Sequence, residues 1–347
     1  MTTAGPASRG QPGVLALEVV RGAAPADWDR CVQAVGGGPF HCAAWGRYRA
    51  AAAHKHSLFF AWSEPGSPLP VSVAVGIETA LPGPLVARSI HFDAPPAGQP
   101  APARAAGDIR RWMRNERGVA DACLGSLDSD GGWEQRREPA TRIEFHVEPA
   151  SEDELLSRMR TLARRSIRRA VRAGITIDED SPRLPEFVEL YGATLRRLHR
   201  VKGVATTLGD AERLTQRLTS LRDAGVARLF LASASEVPVA GCLFTAFGSR
   251  SFYLLGGASE AGRQTGATAA ILHRAMSRFS AEGYQRISLG GVSAGAHEAD
   301  AADHGLYAFK LGLGAVPHPC RDVSVVVRPA RRRLVTAARA ARSSLLA

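Results

Sequence analysis

Lys310 is the single charged residue in the decapeptide Gly305-Leu-Tyr-Ala-Phe-Lys-Leu-Gly-Leu-Gly314. Leu306, Phe309, Leu311 and Leu313 make this segment at least half buried, and an ammonium in such a setting either reaches water with its head or meets an anion or a developing negative charge. A preorganised cation of that kind can stabilise the oxyanion of an acyl transfer. Upstream, Tyr284-Gln-Arg-Ile-Ser-Leu-Gly-Gly-Val-Ser293 reads as a short strand ending in a glycine pair. Lys310 is thereby expected close to the C-terminal end of a strand, where α/β sheets place ligands. Gly291-Val-Ser-Ala-Gly295 also matches the G-x-S-x-G pattern of a serine hydrolase. Only 52 of the 347 residues follow it, too few for the rest of such a fold, and the helix that the serine should open begins instead with glycine.

The charge balance names a partner class. The chain carries 44 Lys+Arg, only three of them Lys, and a net charge of +11, which favours an anionic partner. Arginines 158, 160, 164, 165, 168, 169 and 172 crowd between Ser157 and Gly174, where Met159, Ala163, Ile167, Ala170 and Val171 recur at helical spacing. Glu152, Asp153 and Glu154 favour a helix N-terminus ahead of it, but no acid interrupts the run to offset its self-repulsion. Phosphate or RNA contact is expected of this helix, through the nucleic-acid backbone because no aromatic residues are interleaved.

Other chemistries find little support. Cys31, Cys42, Cys123, Cys242 and Cys320 are odd in number and scattered, with no CxxC, which argues against a disulfide framework or a zinc site and for a cytoplasmic location. His54 and His56 have no carboxylate or Cys near them, so no metal is expected. There is no apolar run near 18 residues, and Met1 to Gly10 lacks the apolar stretch of a signal peptide. No G-x-x-x-x-G-K-[ST] occurs, so an amide-forming protein would have to receive a carboxyl group already activated.

Two similar units are legible along the chain. A hairpin over Ser57–Trp62 and Val71–Ile77 is echoed by Arg228–Ser233 and Val239–Phe244. Each follows a helical region, Asp27 to Ala53 in the first case, Leu184 to Arg200 and Asp210 to Ala224 in the second. Residues 95–106 read as a loop, 107–117 as a helix, 323–327 as a strand and 329–346 as a basic helix. The boundary is expected near Pro149, giving a first module over 12–149, completed by 320–347, and a second over 150–319.

Leu289-Gly-Gly291, Gly305-Leu-Tyr307, Phe309-Lys310 and Gly314 together resemble the C-terminal half of the Fem family, peptidyltransferases with the acetyltransferase-like (GNAT) fold. The resemblance implies an α/β protein of two tandem GNAT-like modules that transfers an amino acid from aminoacyl-tRNA to an amine, a small metabolite or a peptidoglycan precursor, with no cofactor. It places Phe309 and Lys310 at the reaction centre. Tyr307, in the matching segment, and Tyr253, on a strand where packing competes with a site role, are the candidate substrate contacts, and by their uncompensated charge Arg164, Arg165, Arg168, Arg169 and Arg172 would hold the tRNA. Phe40-His-Cys-Ala-Ala-Trp45-Gly-Arg-Tyr-Arg49 is similar to the family segment in which a Trp is followed four residues later by an acceptor-binding Lys. Arg49 stands in that place, which keeps the charge and changes the geometry. Thr194-Leu-Arg-Arg197 is similar to a stretch carrying a second acceptor-binding Arg. The span from Arg200 to Asp210 leaves no room for the long helical arm of some family members. The rival donor is acetyl-CoA, because Arg263-Gln-Thr-Gly266-Ala-Thr268 approaches the R-x-x-G-x-[G/A] loop with which acetyltransferases hold a pyrophosphate at a helix N-terminus. A non-catalytic nucleic-acid-binding protein would keep the arginine helix but leave Lys310 without a role.

Overall fold

Ser57-Leu-Phe-Phe-Ala-Trp62 is apolar on both strand faces, so it requires cover on both sides of a sheet. A computed structural model, describing residues 15–51, 54–81, 87–99, 102–129, 133, 139–202 and 209–333, supplies that cover. Strand β1 (Ala16–Arg21) is followed by α1 (Trp28–Ala34) and α2 (Ala43–Ala50), then β2 (Lys55–Ser63), β3 (Ser72–Leu81), β4 (Ala87–Phe92) and the short β5 (Ala97–Gly98). Helix α3 (Pro102–Asn115) and β6 (Val119–Leu124) complete this run. Phe60, Trp62, Ile90 and Phe92 face α3, which buries Ala105, Ala106, Ile109 and Met113 at helical spacing. Phe59, Val73, Val75 and Ile77 on the other face meet Trp28, Val32 and Ala43.

The second half repeats the plan. It comprises β7 (Arg142–Val147), α4 (Glu152–Arg158), α5 (Thr161–Arg172), β8 (Thr176–Asp178), α6 (Leu184–Lys202) and α7 (Ala211–Asp223). Then come β9 (Ala227–Ala234), β10 (Val237–Phe247), β11 (Arg250–Ala258), α8 (Glu260–Thr265), α9 (Ala267–Ala281), β12 (Arg286–Ser293), α10 (His304–Gly312) and β13 (Val316–Cys320). Strand β14 (Val323–Val326) returns to the first sheet. The sheet orders are β1-β2-β3-β4-β6-β14, with β5 on β3, and β13-β7-β12-β11-β10-β9-β8. In each, antiparallel strands lead to one parallel pair, β4 with β6 and β11 with β12, joined through helices. In each, the strand beyond that pair is antiparallel and comes from the opposite end of the chain order: β7 serves the second sheet and β14 the first.

Several sequence expectations change. Ile143–Val147 pairs with β12 and β13, so the break between sheets precedes Arg142 and does not fall at Pro149. The region 27–53 is two helices separated by a one-turn 3-10 helix over Pro39–His41. Helix α3 begins inside the expected loop. Gly290 and Gly291 lie within β12, not at its end, and form a bulge between Ser288 and Gly291. The arginine segment is not one helix: α4, opened by a Ser151–Glu154 capping box, stops where Met159 turns inward in extended conformation. Arg160 is extended too, its amide donating to Gly312 O at 2.9 Å, and α5 starts one residue later. The basic segment expected to Leu346 lies outside the described residues beyond 333, as does most of the Arg200–Asp210 span.

A mixed core joins the halves. Phe40, Cys42, Ala44 and Trp45 pack with Leu184, Phe187, Leu229, Leu243 and Phe252, and the Phe40 ring meets both Trp45 and Phe252 edge-on at 4.9 and 4.8 Å. Deeper in the second half, the fully buried Phe279 contacts the rings of Phe230, Phe244 and Tyr284. Phe279→Ala is expected to lower stability by about 3–5 kcal/mol, read as a shift in the denaturant midpoint, because it opens a cavity under the second sheet.

Candidate active site

The parallel pair of the second sheet opens. Strands β11 and β12 pair only at Arg250–Arg286, Ser251–Ile287 and Phe252–Ser288, although β11 runs on to Ala258 and β12 to Ser293. In the first sheet β4 and β6 stay paired to Phe92–Leu124. The opening begins at the Gly290–Gly291 bulge. Gly290 has φ +71, and a Cβ there would point at Tyr253 O (3.3 Å), the Phe252 ring (3.5 Å) and Lys310 Nζ (3.8 Å). Gly291 is pressed on β7, so that a Cβ would come within 2.9 Å of Ile143 O.

Lys310 reaches this bulge from α10. It is only 4% exposed, donates from Nζ to Gly291 O at 3.0 Å, and holds the ammonium 5.5 Å from the centre of the Phe145 ring. Burial pushes its pKa down to about 8, against the pull of the nearby Glu144 carboxylate. Glu144 is fully buried. Its carboxylate accepts from Arg142 and from Ser288 Oγ (3.4 Å), and Ser288 Oγ in turn accepts from Gly290 N at 3.1 Å. Burial pushes Glu144 up to about 7, while Arg142 and Lys310 resist that rise. Two oppositely charged groups thus titrate close to neutrality beside an open strand pair, the pattern of a functional centre. Glu144 was not anticipated from the sequence. In Ile143-Glu-Phe-His-Val147 it alternates as a solvent-facing strand residue would, and only the β12 and β13 neighbours bury it.

The other anticipated residues fall into groups. Tyr307 stands on α10 with its ring edge-on to Phe145 at 5.5 Å. Phe309 is partly buried against the core, and the ring facing the ammonium is Phe145. Leu306 is exposed, contrary to expectation. Tyr253 on β11 packs against Phe244, its hydroxyl 3.7 Å from Cys242 Sγ and pressed on Gly256, and burial raises its pKa. Ser293 is exposed, with its hydroxyl on Asp303 at 2.9 Å, and a 3-10 turn follows it where a hydrolase would place a helix.

Trp45 and Arg49 meet at Asp93 in the first half. Trp45 Nε1 and Arg49 Nε both lie 2.9 Å from Asp93 Oδ2, and His91 Nε2 is 3.1 Å from Oδ1. Burial works to raise the pKa of Asp93, but His91, Arg49 and Trp45 outweigh it and hold the carboxyl below its usual range. Arg217 of α7 donates to Tyr48 O at 2.8 Å and stacks over the Tyr48 ring at 4.4 Å. Lys55 is lowered by burial and then by Arg49 and Arg217, so these three cations border one region. Trp45 and the Gly290 bulge are linked through the Phe40 and Phe252 rings. Arg197 on α6 keeps a buried Nε with no hydrogen-bond partner among the described residues.

Arg164, Arg165, Arg168, Arg169 and Arg172 all lie on α5, whose Ala163, Ile167 and Ala170 face inward. None of the five has a carboxylate ion pair among the described residues, whereas Arg21, Arg49, Arg88, Arg228 and Arg274 each do. Arg158 and Arg160 lie off this helix. Helix α5 packs on α9 and α10, and the carbonyl of Ser166 lies 2.6 Å from where a Gly266 Cβ would stand. The α5 backbone therefore covers that side of the Arg263–Thr268 loop. Arg263 itself turns back to Ala258 O at 3.2 Å. Among the described residues no group of three His, Cys, Asp or Glu side chains is placed to hold a metal ion.

With this geometry, residues 157–314 match the family model of the acetyltransferase (GNAT) domain. The solved structure of FemX is 14% identical, with a TM-score of 0.69 over 91% of this chain and 99% of that one. In fold the chain is a Fem-like tandem GNAT protein. L-PGS from Bacillus licheniformis is 14% identical with a TM-score of 0.51, covering 91% of this chain and 95% of its own. A conserved protein of unknown function from Bacteroides thetaiotaomicron is 13% identical with a TM-score of 0.52, covering 87% and 93%. No curated protein matches the chain. No described helix of the Fem-like fold is long and apolar enough to cross a membrane.

Glu144→Gln removes the carboxylate that favours the charged form of Lys310. The Lys310 pKa is expected to fall further below about 8. NMR of the isotopically dimethylated protein reads this directly, since the chain has only three lysines. An unchanged or raised value would separate the two groups.

Proposed function

We propose that this protein is an aminoacyltransferase that moves an amino acid from aminoacyl-tRNA to the amine of an acceptor, a small metabolite or a peptidoglycan precursor. The observation that carries this reading is the α5 surface: five arginines without ion-pair partners among the described residues, on a helix packed against the one that bears Lys310. Unpaired guanidinium groups at helical spacing suit a polyphosphate backbone, and a bound acceptor stem would bring its charged end towards the opened strands. The backbone of α5 against Gly266 supports tRNA over coenzyme A as donor, because the pyrophosphate loop is covered on that side.

In the reaction the neutral amine attacks the ester carbonyl. Lys310, aimed by its bond to Gly291 O, stabilises the oxyanion, and Glu144 favours the ammonium form that this requires. The C–O bond to the ribose then breaks, the new C–N bond remains, and the amine's proton ends on the leaving oxygen. The ester is the more reactive linkage, so no nucleotide is consumed. Trp45, Arg49 and Arg197 belong to the acceptor side, which the Phe40–Phe252 contact joins to the bulge.

Two outcomes test this. Lys310→Ala is expected to lower the turnover of amine-dependent aminoacyl-tRNA consumption about 10²–10³-fold with tRNA affinity unchanged. Equal turnover would remove Lys310 from the chemistry. Replacing Arg164, Arg165, Arg168 and Arg169 together by Gln is expected to weaken binding of charged tRNA and flatten the slope of log K against log salt by about 3. An unchanged slope in titrations at several salt concentrations would make α5 a solvated face.

A further inference from the structure

Four of the five thiols are sealed in the fold. Cys31, Cys42, Cys242 and Cys320 are buried, and burial raises the pKa of each. Cys123 differs in exposure and in company. It lies on β6 with its side chain exposed, and in the parallel β4–β6 ladder its direct partner is His91. Ladder partners project from the same sheet face, which sets the His91 ring beside the Cys123 thiol. The other contact of that ring is to Asp93, through Nε2 at 3.1 Å. Asp93 is itself fixed by Trp45 Nε1 and Arg49 Nε, both at 2.9 Å. A thiol beside an imidazole, which a buried carboxylate orients in turn, is the general arrangement of an activated nucleophile.

We propose that Cys123, His91 and Asp93 form a reactive thiol site in the first half of the molecule, modified by low-molecular-weight disulfides that carry negative charge. The Asp93 carboxylate holds His91 in its imidazolium form, and that cation stabilises the Cys123 thiolate once the thiol proton has left to solvent. Cys123 Sγ attacks one sulfur of the disulfide along the S–S axis, a new S–S bond forms, and the other half leaves as a thiolate, so that the cysteine is oxidised and the leaving half reduced. Preference for an anionic disulfide follows from the cations gathered around Asp93: Arg49 bound to it, and Lys55 and Arg217 close to Arg49. His91 accounts for the selectivity among the five cysteines, as the cation beside the thiolate. This inference does not depend on aminoacyl transfer, and its test uses no transfer assay.

The purified protein is incubated with oxidised glutathione, and in parallel with cystamine, a cationic disulfide, and adducts are located by peptide mass spectrometry. One glutathionyl group is expected, on Cys123, forming at least tenfold faster than any adduct elsewhere and faster than the cystamine adduct. His91→Gln is expected to slow it at least tenfold. His91 is 43% exposed, and the variant's thermal unfolding reports whether it folds. The unsubstituted protein gives a second measure: Cys123 should be alkylated faster by iodoacetate than the intrinsically more reactive iodoacetamide would lead one to expect from a free thiol. Modification spread over several cysteines, an unchanged rate in a folded His91→Gln variant, or a cystamine rate equal to that of glutathione would overturn the proposal.

Discussion

Keeping an ammonium charged at 4% exposure is the constraint around which the second half of this molecule is arranged. An unpaired buried cation costs several kcal/mol, so each partner of Lys310 has to be supplied by the fold. The carbonyl of Gly291 comes from a bulge that only glycines can form there, since a side chain at Gly291 would collide with β7. The aromatic face and the carboxylate, Phe145 and Glu144, both come from β7, the first strand of the second half and far ahead of Lys310 in sequence. Lys310 is thus held by residues far apart in the chain, and its charge responds to a carboxyl that itself titrates near neutrality.

The halves share a plan but not an opening. Continuous pairing of β4 and β6 leaves the first sheet closed, and the polar residues near its end, His91, Asp93, Arg49 and Trp45, hold one another. Divergence of β11 from β12 gives the second sheet its gap. Phe40 and Phe252 bridge the two regions with direct ring contact, so the position of Trp45 relative to the Gly290 bulge is set by packing and not by a flexible linker.

The sequence revealed residues whose meaning is local. Lys310 stood out because nothing near it in the chain is charged, and the arginines of α5 because no acid is interleaved. The hairpins at β2–β3 and β9–β10 followed from apolar runs around turn residues. What escaped depends on pairing at a distance. Glu144 acquires its burial from β12 and β13, the stop between α4 and α5 from the bond of Arg160 N to Gly312 O, and the His91–Cys123 neighbourhood from a register that no single segment encodes. The break at Met159 carries no Gly or Pro signal, and a continuous helix was the natural reading of its residues.

The exchange of β7 and β14 also orders the events of synthesis. A chain emerging from the ribosome completes β6 early, yet the partner of that strand is β14, and residues 125–322 must be made in between. At about 5–20 residues per second that interval is on the order of 10–40 s, during which β6 presents an unpaired edge. Cys123 lies on that edge, opposite the place that Ser324 will take. Strand β7 meanwhile waits for β12. Neither sheet can close before most of the other has been made, so the two halves reach their native state together although each looks like a domain in its own right.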